Sequence, residues 1–557
     1  MTTSSRPDSY RVRVLTVSEL KVETSPALER PPLVSGICFD VCAGETVCIV
    51  GESGSGKSVT SLAIMGLLPK GALEVTRGSI LIDGEDVLSA SETRLRQMRA
   101  SKMAMVFQEP MTALNPVQRV GRQIEEVLRL HTSLTARHRR NRIMEMLEAV
   151  HLPDIERIYR AFPHELSGGQ RQRIVIAMAL ILKPKVLIAD EPTTALDVTT
   201  QKQILNLIRE LQQSQQTAVV FITHDFGVVS EIADRIVVMN RGRVVETGTR
   251  DQILARPSED YTRTLVSSVP SLVPRHRSDP AAHKVLEVVG LGKTYEKPQF
   301  FGRARAVAAA KDVNLTVARG EITGIVGESG SGKSTVARCI ELLIEPSSGS
   351  VMLNGDDLTK VRARDLHSVR RRVQFVFQDP YRSLNPRRTV GDSVMEGLIN
   401  YGMPRRDAFG QSAESLELVG LDRAVMSRYP HQFSGGQRQR ICIARALVMK
   451  PELLIADEAV SALDVSVQAQ VLTLIDDIRV RTGVSILFIT HDLRVAAQIC
   501  HKILVMRRGE VVEVGDAMTV LANPLHEYTR TLIEAAPGRD WDFQNFRPIH
   551  APSATIN

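Results

Sequence analysis

The order of hydrophobic and polar residues changes along the chain in a way that predicts its secondary structure. Val12–Val22 and Ile37–Val41 alternate apolar and polar positions, which is typical of strands with one solvent-facing side. Further on, short continuous apolar runs, typical of buried strands, are separated by stretches with helical spacing such as Gln201–Leu211. The pattern predicts an α/β fold with a parallel sheet and a β-rich opening; the apolar runs are Thr46–Val50, Met103–Gln108, Lys185–Ala189 and Ala218–Thr223.

Residues 117–160 differ from this alternation and predict a helical insert. Apolar residues recur at helical spacing among many arginines, and we interpret the charged run Arg137–Arg140 as a solvated helix face. Two short apolar segments around Asn240-Arg241-Gly242 predict a β-hairpin, and a short helix is expected at Tyr261–Val266.

The whole pattern restarts at Val285, so the chain contains a duplicated domain. His491 lies 267 residues after His224, and the segment Tyr261–Leu265 recurs at the same spacing as Tyr528–Leu532. A proline-containing stretch joins the two copies. We predict a flexible N-terminus at 1–9, a first domain at 10–270, a linker at 271–284, a second domain at 285–536 and a loosely ordered tail at 537–557.

Composition narrows the picture only slightly. The net charge of +7 is small against 70 basic and 63 acidic residues, and it does not by itself indicate a nucleic acid or a membrane as partner. The six cysteines form no C-x-x-C pair, so neither a zinc site of the usual spacing nor a disulfide framework is expected. No run approaches the roughly 20 apolar residues of a membrane span, and no signal-peptide core is expected at the start.

Each copy contains a glycine-rich segment that fits the phosphate-binding pattern G-x-x-x-x-G-K-[ST]. An apolar run precedes it and a helical segment follows, which is the context that the motif requires. Glycines let backbone N–H groups wrap around phosphates, the lysine adds a positive charge, and the serine after it can hold Mg²⁺. The two segments are Gly51-Glu52-Ser53-Gly54-Ser55-Gly56-Lys57-Ser58 and Gly327-Glu328-Ser329-Gly330-Ser331-Gly332-Lys333-Ser334, the second followed by Thr335.

Further groups for phosphoryl transfer follow in the same order in each copy. Asp190 and Asp457 end apolar strands, as a Mg²⁺-binding carboxylate would, and the next residues, Glu191 and Glu458, could act as general bases on water. A serine and two glycines, each set followed by glutamine and an apolar helix, offer a helix N-terminus to an anion. These residues are Ser167, Gly168, Gly169 and Gln170, and Ser434, Gly435, Gly436 and Gln437.

With these motifs in this order, the chain resembles the ATPase domains of ABC transporters over about residues 10–535. The resemblance implies two tandem P-loop NTPase domains, each with a RecA-like parallel-sheet core, an antiparallel β subdomain and a helical subdomain. It also implies a head-to-tail pair that holds two ATP molecules with Mg²⁺. Each ATP would contact the phosphate loop of one copy and the serine-glycine signature of the other.

The same resemblance assigns roles to residues that the pattern alone did not single out. Gln108 and Gln378 would be the glutamines that contact Mg²⁺ and water, and His224 and His491 the histidines that contact the γ-phosphate. Ala195-Leu196-Asp197 and Ala462-Leu463-Asp464 match the D-loops of the family. Since no motif is missing from either copy, we predict two competent ATPase sites.

The first copy departs from the family in one respect. Members usually place an aromatic residue upstream of the phosphate loop, where it stacks on adenine. Tyr295 fits this position in the second copy, whereas the matching stretch Leu20–Thr24 contains no aromatic residue. We therefore expect the first site to bind ATP more weakly.

Finer features resemble one branch of the family, the oligopeptide, dipeptide and nickel importers. The extended segments Phe107–Pro116 and Phe377–Pro386 and the repeated Tyr-Thr-Arg-Thr-Leu motif carry this resemblance. It implies an ATPase on the cytoplasmic face of the inner membrane that powers peptide uptake through two permease subunits, with an extracytoplasmic binding protein delivering the solute. No iron–sulfur cluster is expected, because this chain lacks the C-terminal cysteine cluster that binds iron–sulfur in some members of the branch.

Two alternatives stay open at this point. A nickel or other small-solute importer of the same branch would share every motif. A soluble twin ATPase acting on ribosomes or nucleic acid would share the duplication, but such proteins carry a long charged linker or zinc-binding cysteine insertions, and this sequence has neither. We therefore expect no nucleic-acid partner.

Overall fold

The computed structural model describes residues 12–24, 31–108, 113–194, 196–277, 282–297, 305–461 and 463–549. The predicted flexible N-terminus at 1–9 lies outside these ranges, as do the D-loop residues Ala195 and Ala462. The chain forms two compact units: one extends through Val269 and includes the residues from Asn545 onward, and the other is Pro270–Gln544. Each unit contains an antiparallel sheet, a larger mostly parallel sheet and a set of helices.

In the first unit, the four-stranded antiparallel sheet has the order β2-β1-β4-β5 and the six-stranded sheet the order β10-β9-β3-β8-β7-β6. Only β10 runs antiparallel in the larger sheet, where it forms the expected hairpin with β9. The strands are β1 Arg13–Thr24, β2 Val34–Cys42, β3 Thr46–Val50, β4 Leu73–Ile82, β5 Glu85–Asp86, β6 Met103–Val106, β7 Val186–Asp190, β8 Ala218–Ile222, β9 Arg235–Asn240 and β10 Arg243–Thr249.

The helices of the first unit include three that form the predicted insert, with Val120, Ile124 and Leu128 buried at helical spacing on one face. A threonine caps the second of these helices, since Thr135 Oγ1 accepts from His138 N. The helices are α1 Lys57–Ile64, α2 Glu92–Ser101, α3 Val120–His131, α4 Ala136–Ala149, α5 Ile155–Arg160, α6 Gly168–Leu180, α7 Val198–Gln215, α8 Phe226–Ile232, α9 Arg250–Ala255 and α10 Asp260–Ser267.

The second unit repeats these sheets, with the orders β12-β11-β14-β15 and β16-β17-β18-β13-β19-β20. Every residue of the central strands β13, β17 and β18 is buried, which explains their continuous apolar runs. The strands are β11 Lys284–Lys297, β12 Arg305–Ala318, β13 Ile322–Val326, β14 Ser348–Leu353, β15 Asp356–Asp357, β16 Val373–Val376, β17 Leu453–Asp457, β18 Ser485–Thr490, β19 Lys502–Arg507, β20 Glu510–Asp516 and β21 Trp541–Asp542.

The helices of the second unit pack around the same kind of sheet, and those of its insert contribute to one hydrophobic core with helices beside the parallel sheet. They are α11 Lys333–Ile340, α12 Leu366–Arg372, α13 Pro380–Ser383, α14 Val390–Asn400, α15 Arg405–Leu418, α16 Gly435–Leu447, α17 Val465–Thr482, α18 Leu493–Ile499, α19 Ala517–Ala522 and α20 Glu527–Ala535. None of the helices in the described part of the chain is both long and apolar enough to cross a membrane.

The beginning of the predicted linker is attached to the second unit. Gln498 Nε2 donates to the carbonyl oxygens of Ser271 and Val273 at 2.7 and 3.1 Å. Arg277 bridges Asp476 Oδ1 at 2.8 Å and the carbonyl oxygen of Gln498 at 2.7 Å. A stretch rich in proline and serine is expected to be solvated, but here the side chains of Gln498 and Arg277 join it to the second unit through hydrogen bonds.

The described part of the predicted tail, residues 537–549, makes contacts that a loosely ordered segment would lack. Arg494 Nη1 donates to the carbonyl oxygen of Pro537 at 3.3 Å, and Phe543 is completely buried. Trp541 stacks with Phe543, with 6.4 Å between their ring centroids. This aromatic pair buries apolar area that helps to hold the segment in place. The described residues of the tail extend to 549.

Candidate functional sites

The two phosphate loops have the same backbone geometry, which only glycine supports at several positions. Gly56 and Gly332 have φ of 99° and 106° and immediately precede α1 and α11. Gly51 begins the first loop so close to β9 that an added Cβ would lie 2.2 Å from the carbonyl oxygen of Met239. The helix N-termini and their N–H groups therefore meet a closely packed, glycine-rich loop, as an anion site requires.

The loop lysines are buried and bind the start of their own loops. Lys57 Nζ donates to the carbonyl oxygens of Gly51 and Glu52 at 2.8 and 2.9 Å, and to Ser55 Oγ at 3.3 Å. Lys333 Nζ makes the matching bonds to Gly327 and Glu328, both at 2.8 Å. The ammonium group is thus fixed by backbone carbonyls in both units, at the loop that is predicted to bind phosphates.

The strand-end aspartates lie beside serines of the loop helices. Ser334 Oγ donates to Asp457 Oδ1 at 3.1 Å, and Ser61 Oγ lies 3.5 Å from Asp190 Oδ2. Burial, with the neighbouring glutamate charge, raises the pKa of Asp190 above its ordinary value. Burial also raises the pKa of Asp457. In each unit, a buried carboxylate next to a serine hydroxyl thus offers oxygen ligands of the kind that Mg²⁺ prefers.

The glutamates that follow have a strained backbone. Glu191 and Glu458 have φ of 47° and 48°, a left-handed conformation that costs a residue with a side chain about 1–2 kcal/mol. Their amides are held by neighbouring strands, since Glu191 N donates to the Ile222 carbonyl and Glu458 N to the Ile489 carbonyl, both at 2.9 Å.

In the first unit, three side chains converge on Glu191, two of them from distant parts of the chain. Gln108 Nε2 donates to Oε2 at 2.8 Å, Thr194 Oγ1 donates to Oε2 at 3.1 Å, and His224 Nδ1 lies 2.9 Å from Oε1. Burial alone would raise the pKa of Glu191, but the bond and charge of His224 outweigh it and hold the pKa below its ordinary value. The carboxylate is therefore ionised at neutral pH.

The second unit repeats this cluster around Glu458. Gln378 Nε2 donates to Oε2 at 2.7 Å, and His491 Nδ1 lies 3.3 Å from Oε1. Burial would raise the pKa of Glu458, and His491 again reverses the sign and lowers it. In each unit the structure thus brings together the predicted glutamate, histidine and glutamine.

The signature serines lie at the starts of α6 and α16, in reciprocal caps. Ser167 Oγ accepts from Gln170 N at 3.2 Å while Gln170 Oε1 accepts from Ser167 N at 3.1 Å, and Ser434 and Gln437 do the same at 3.3 and 3.1 Å. The second signature glycine is required by packing, because a Cβ at Gly169 would lie 2.5 Å from Thr200 Cγ2.

Tyr295 lies near the end of β11, where it pairs with Val307 of β12. Its side chain is 37% exposed, and Lys293 Nζ lies 5.4 Å from its ring centroid. Thr24 ends β1, paired with Leu73 of β4. The extended segment Glu109–Thr112 of the first copy lies outside the described residues. In the second copy the matching residues are described, and Arg438 Cζ lies 4.0 Å from the ring centroid of Tyr381.

The sequence did not identify Thr194, Tyr261 or Tyr528 as parts of the sites. Thr194 follows Glu191 by three residues and donates to its carboxylate. Tyr261 and Tyr528 each place a hydroxyl at the second residue of the phosphate loop. The repeat of Tyr-Thr-Arg-Thr-Leu in both copies could have indicated the two tyrosines. No sequence pattern distinguishes Thr194 from an ordinary loop threonine.

The chain belongs to the ABC transporter family. The family profile matches residues 34–194 and 310–461, so both units are ABC transporter ATPase domains. A second profile, the C-terminal region of oligopeptide/dipeptide transporters, matches residues 245–297 and 512–551. The predicted tandem α/β P-loop architecture and the ATPase activity are thereby confirmed.

Among curated proteins, the chain is similar to glutathione import ATP-binding proteins GsiA. It is 45% identical to that of Shigella dysenteriae serotype 1 (strain Sd197) and 44% identical to that of Escherichia coli (strain K12), in each case over 94% of this chain and 89% of the relative. Among solved structures, it matches the dimeric MJ0796, a bacterial ABC transporter cassette, at 30% identity over 42% of this chain and 98% of that one, with a TM-score of 0.38.

Proposed function

We propose that this chain is the ATP-hydrolysing subunit of an importer that takes up peptides, including dipeptides, oligopeptides or glutathione. The observation that carries the peptide assignment is the match of residues 245–297 and 512–551 to the C-terminal region of oligopeptide/dipeptide transporters. The naming of the GsiA relatives as glutathione import proteins supports a small peptide as the cargo.

The hydrolytic step is proposed to use Glu191 and Glu458 as general bases. Each is ionised at neutral pH, and each lies one residue after the buried aspartate at the end of a strand. The paired histidine orients the carboxylate and stabilises its charge, and the glutamine amide binds the other carboxylate oxygen. A carboxylate held in this way is suited to accept a proton from an attacking water.

Mg²⁺ is the proposed metal, and the residues present fit it. Ser58, Gln108 and Asp190 would hold it in the first unit, and Ser334, Gln378 and Asp457 in the second; all six offer oxygen atoms. When bound, the ion would neutralise charge that develops on the phosphates. The lysines Lys57 and Lys333, fixed by backbone carbonyls, would bind the phosphates themselves.

Each ATP is proposed to need both halves of the chain. Lys57, Ser58, Asp190 and Glu191 would act with Ser434, Gly435 and Gly436, and the matching second set with Ser167, Gly168 and Gly169. What supports this is that each signature serine caps its own helix and leaves the N-terminus of that helix solvent-facing for an anion. ATP binding would close the halves, and hydrolysis would open them.

The proposed partners are two membrane permease subunits, with an extracytoplasmic binding protein that delivers the solute. The chain would act from the cytoplasmic face of the inner membrane. Motion would reach the permeases through the helical inserts at about 117–160 and 389–430 and the segments after Gln108 and Gln378.

The test is transport by the complex reconstituted from this chain, its permeases and the binding protein in vesicles. A dipeptide, an oligopeptide, glutathione and Ni²⁺ would be offered separately, with Glu191→Gln/Glu458→Gln as the matched inactive control. Peptide uptake that needs ATP and disappears in the control is expected. Uptake of Ni²⁺ alone, or co-purification with ribosomes instead of permeases, would contradict the proposal.

A further inference from the structure

The repeated Tyr-Thr-Arg-Thr-Leu motif opens a helix next to each phosphate loop. Glu52 N donates to the hydroxyl oxygen of Tyr261 at 3.5 Å, and Glu328 N donates to that of Tyr528 at 3.2 Å. The tyrosines belong to α10 and α20, and they follow the loop residues that they bind by 209 and 200 positions in the chain. The same contact in both units makes a chance neighbour implausible.

Each tyrosine binds the peptide group that also holds the loop lysine. The peptide between Gly327 and Glu328 offers its carbonyl oxygen to Lys333 Nζ at 2.8 Å and its N–H to Tyr528 at 3.2 Å. The peptide between Gly51 and Glu52 has the same two partners, Lys57 at 2.8 Å and Tyr261 at 3.5 Å. Since a peptide group is planar, fixing its N–H also fixes the direction of its carbonyl.

The surroundings of the tyrosines are built to hold them in place. The carboxylate of Glu513 accepts from Leu525 N at 2.8 Å and His526 N at 3.1 Å, which anchors the turn into α20. Glu246 does the same before α10, accepting from Ser258 N at 2.8 Å and Glu259 N at 3.2 Å. A carboxylate at a helix start also favours the helix dipole.

The hydroxyl of Tyr528 remains a neutral group. The residue is 5% exposed, and burial raises its pKa to about 12. Arg507 lies 4.8 Å from its ring centroid, which holds the ring in place. The oxygen can therefore accept from the loop N–H without carrying a charge that would repel a phosphate.

We propose that Tyr261 and Tyr528 are positioning residues of the two ATPase sites. Each holds the first peptide of its phosphate loop so that the loop lysine points at the phosphates before ATP arrives. The C-terminal segment of each unit is thereby part of the nucleotide site, through a tyrosine that does not itself touch ATP.

The test compares Tyr261→Phe, Tyr528→Phe and the double variant with Thr264→Ala and Thr531→Ala in the full chain. The threonines are matched controls, because they lie on the same helices and their hydroxyls donate only to carbonyl oxygens one turn back, at 2.9 and 3.0 Å. The readouts are KM and kcat for ATP hydrolysis, equilibrium binding of a non-hydrolysable ATP analogue, and the thermal midpoint.

Loss of one hydroxyl should raise KM and the dissociation constant about three- to tenfold, with kcat changed less than about twofold. The effect of Tyr528→Phe should exceed that of Tyr261→Phe, because its bond is shorter. Thermal midpoints should match those of the threonine controls. Unchanged KM and binding, or changes equal to those of the threonine controls, would overturn the proposal; because no peptide or permease is used, this outcome would leave peptide import untouched.

Discussion

The two halves of the chain contain the same groups for the proposed reaction, but they differ in the side chains that bind those groups. Glu191 accepts a bond from Thr194 Oγ1, whereas Ser461 Oγ in the second half donates to the carbonyl oxygen of Glu458 instead, at 3.0 Å. The histidine lies 2.9 Å from the first glutamate and 3.3 Å from the second. The duplicated domain has kept the reacting groups and changed their supports, so the two sites need not be equivalent.

The largest expected effect tests whether both halves hydrolyse ATP. Glu191→Gln and Glu458→Gln together should lower ATP turnover by at least about 100-fold while ATP still binds, because an amide cannot accept the proton from water. The double variant should remain in a closed, ATP-bound state. Each single variant, assayed beside it, shows how much turnover each half supplies; undiminished hydrolysis in the double variant would refute the assignment of the base.

The missing aromatic residue gives the next largest effect. Tyr295→Ala should weaken ATP binding at the second site by about 1–3 kcal/mol, on the scale of base stacking on aromatic side chains. Thr24→Tyr should strengthen ATP binding at the first site, which is expected to be the weaker of the two sites in the wild-type chain. Site-resolved nucleotide titration measures both constants; equal affinities of the two wild-type sites would disprove the asymmetry.

The attachment of the linker has no match among the described residues of the first half, where Arg209 stands at the position that corresponds to Asp476, the residue that accepts from Arg277. Arg277→Ala should lower the free energy of unfolding of the second half by about 1–3 kcal/mol, because a largely buried charge pair loses one partner. The single tryptophan, Trp541, belongs to this half and provides a fluorescence signal for its unfolding. Arg275→Ala is the control; equal stability of the two variants would contradict the assigned role.

The smallest expected effect is a pH dependence in the second half. Burial would lower the pKa of His491, but Glu458 outweighs it and raises the pKa above 6.5. The imidazolium therefore stabilises the fold at pH below 6.5, and this contribution, under about 1 kcal/mol, is lost as pH rises through the folded-state pKa. Denaturant unfolding followed by Trp541 between pH 6 and 8 should show a slope that His491→Gln removes; an identical slope in that variant would rule out the pair as its source.

Much of the fold could be predicted, because buried parallel strands and amphipathic helices leave clear periodic patterns. The helix expected at Gln201–Leu211 is longer, Val198–Gln215, because Asp197 caps its start and Gln216 ends it in the left-handed conformation. Residues 271–277 and the tail could not be predicted. Their order comes from Gln498, Asp476 and Arg494, which are distant in sequence and leave no local signal.

The sites show the same division between local and distant causes. Glycine loops, strand-end carboxylates and capped helices are local, and their positions followed from the sequence. The bond from Gln108 to Glu191 and that from Glu328 to Tyr528 join residues 83 and 200 positions apart, so spacing alone could not predict them. Nor does any pattern predict that both glutamates adopt a left-handed backbone.

That backbone conformation sets stability against activity at two positions. Glycine at 191 or 458 would adopt the observed φ without strain, so the substitution would relieve about 1 kcal/mol of backbone strain while losing the hydrogen bonds of the carboxylate. It would also delete the proposed base. A stability screen that replaces residues of positive φ by glycine would therefore have to exclude both positions to keep a working enzyme.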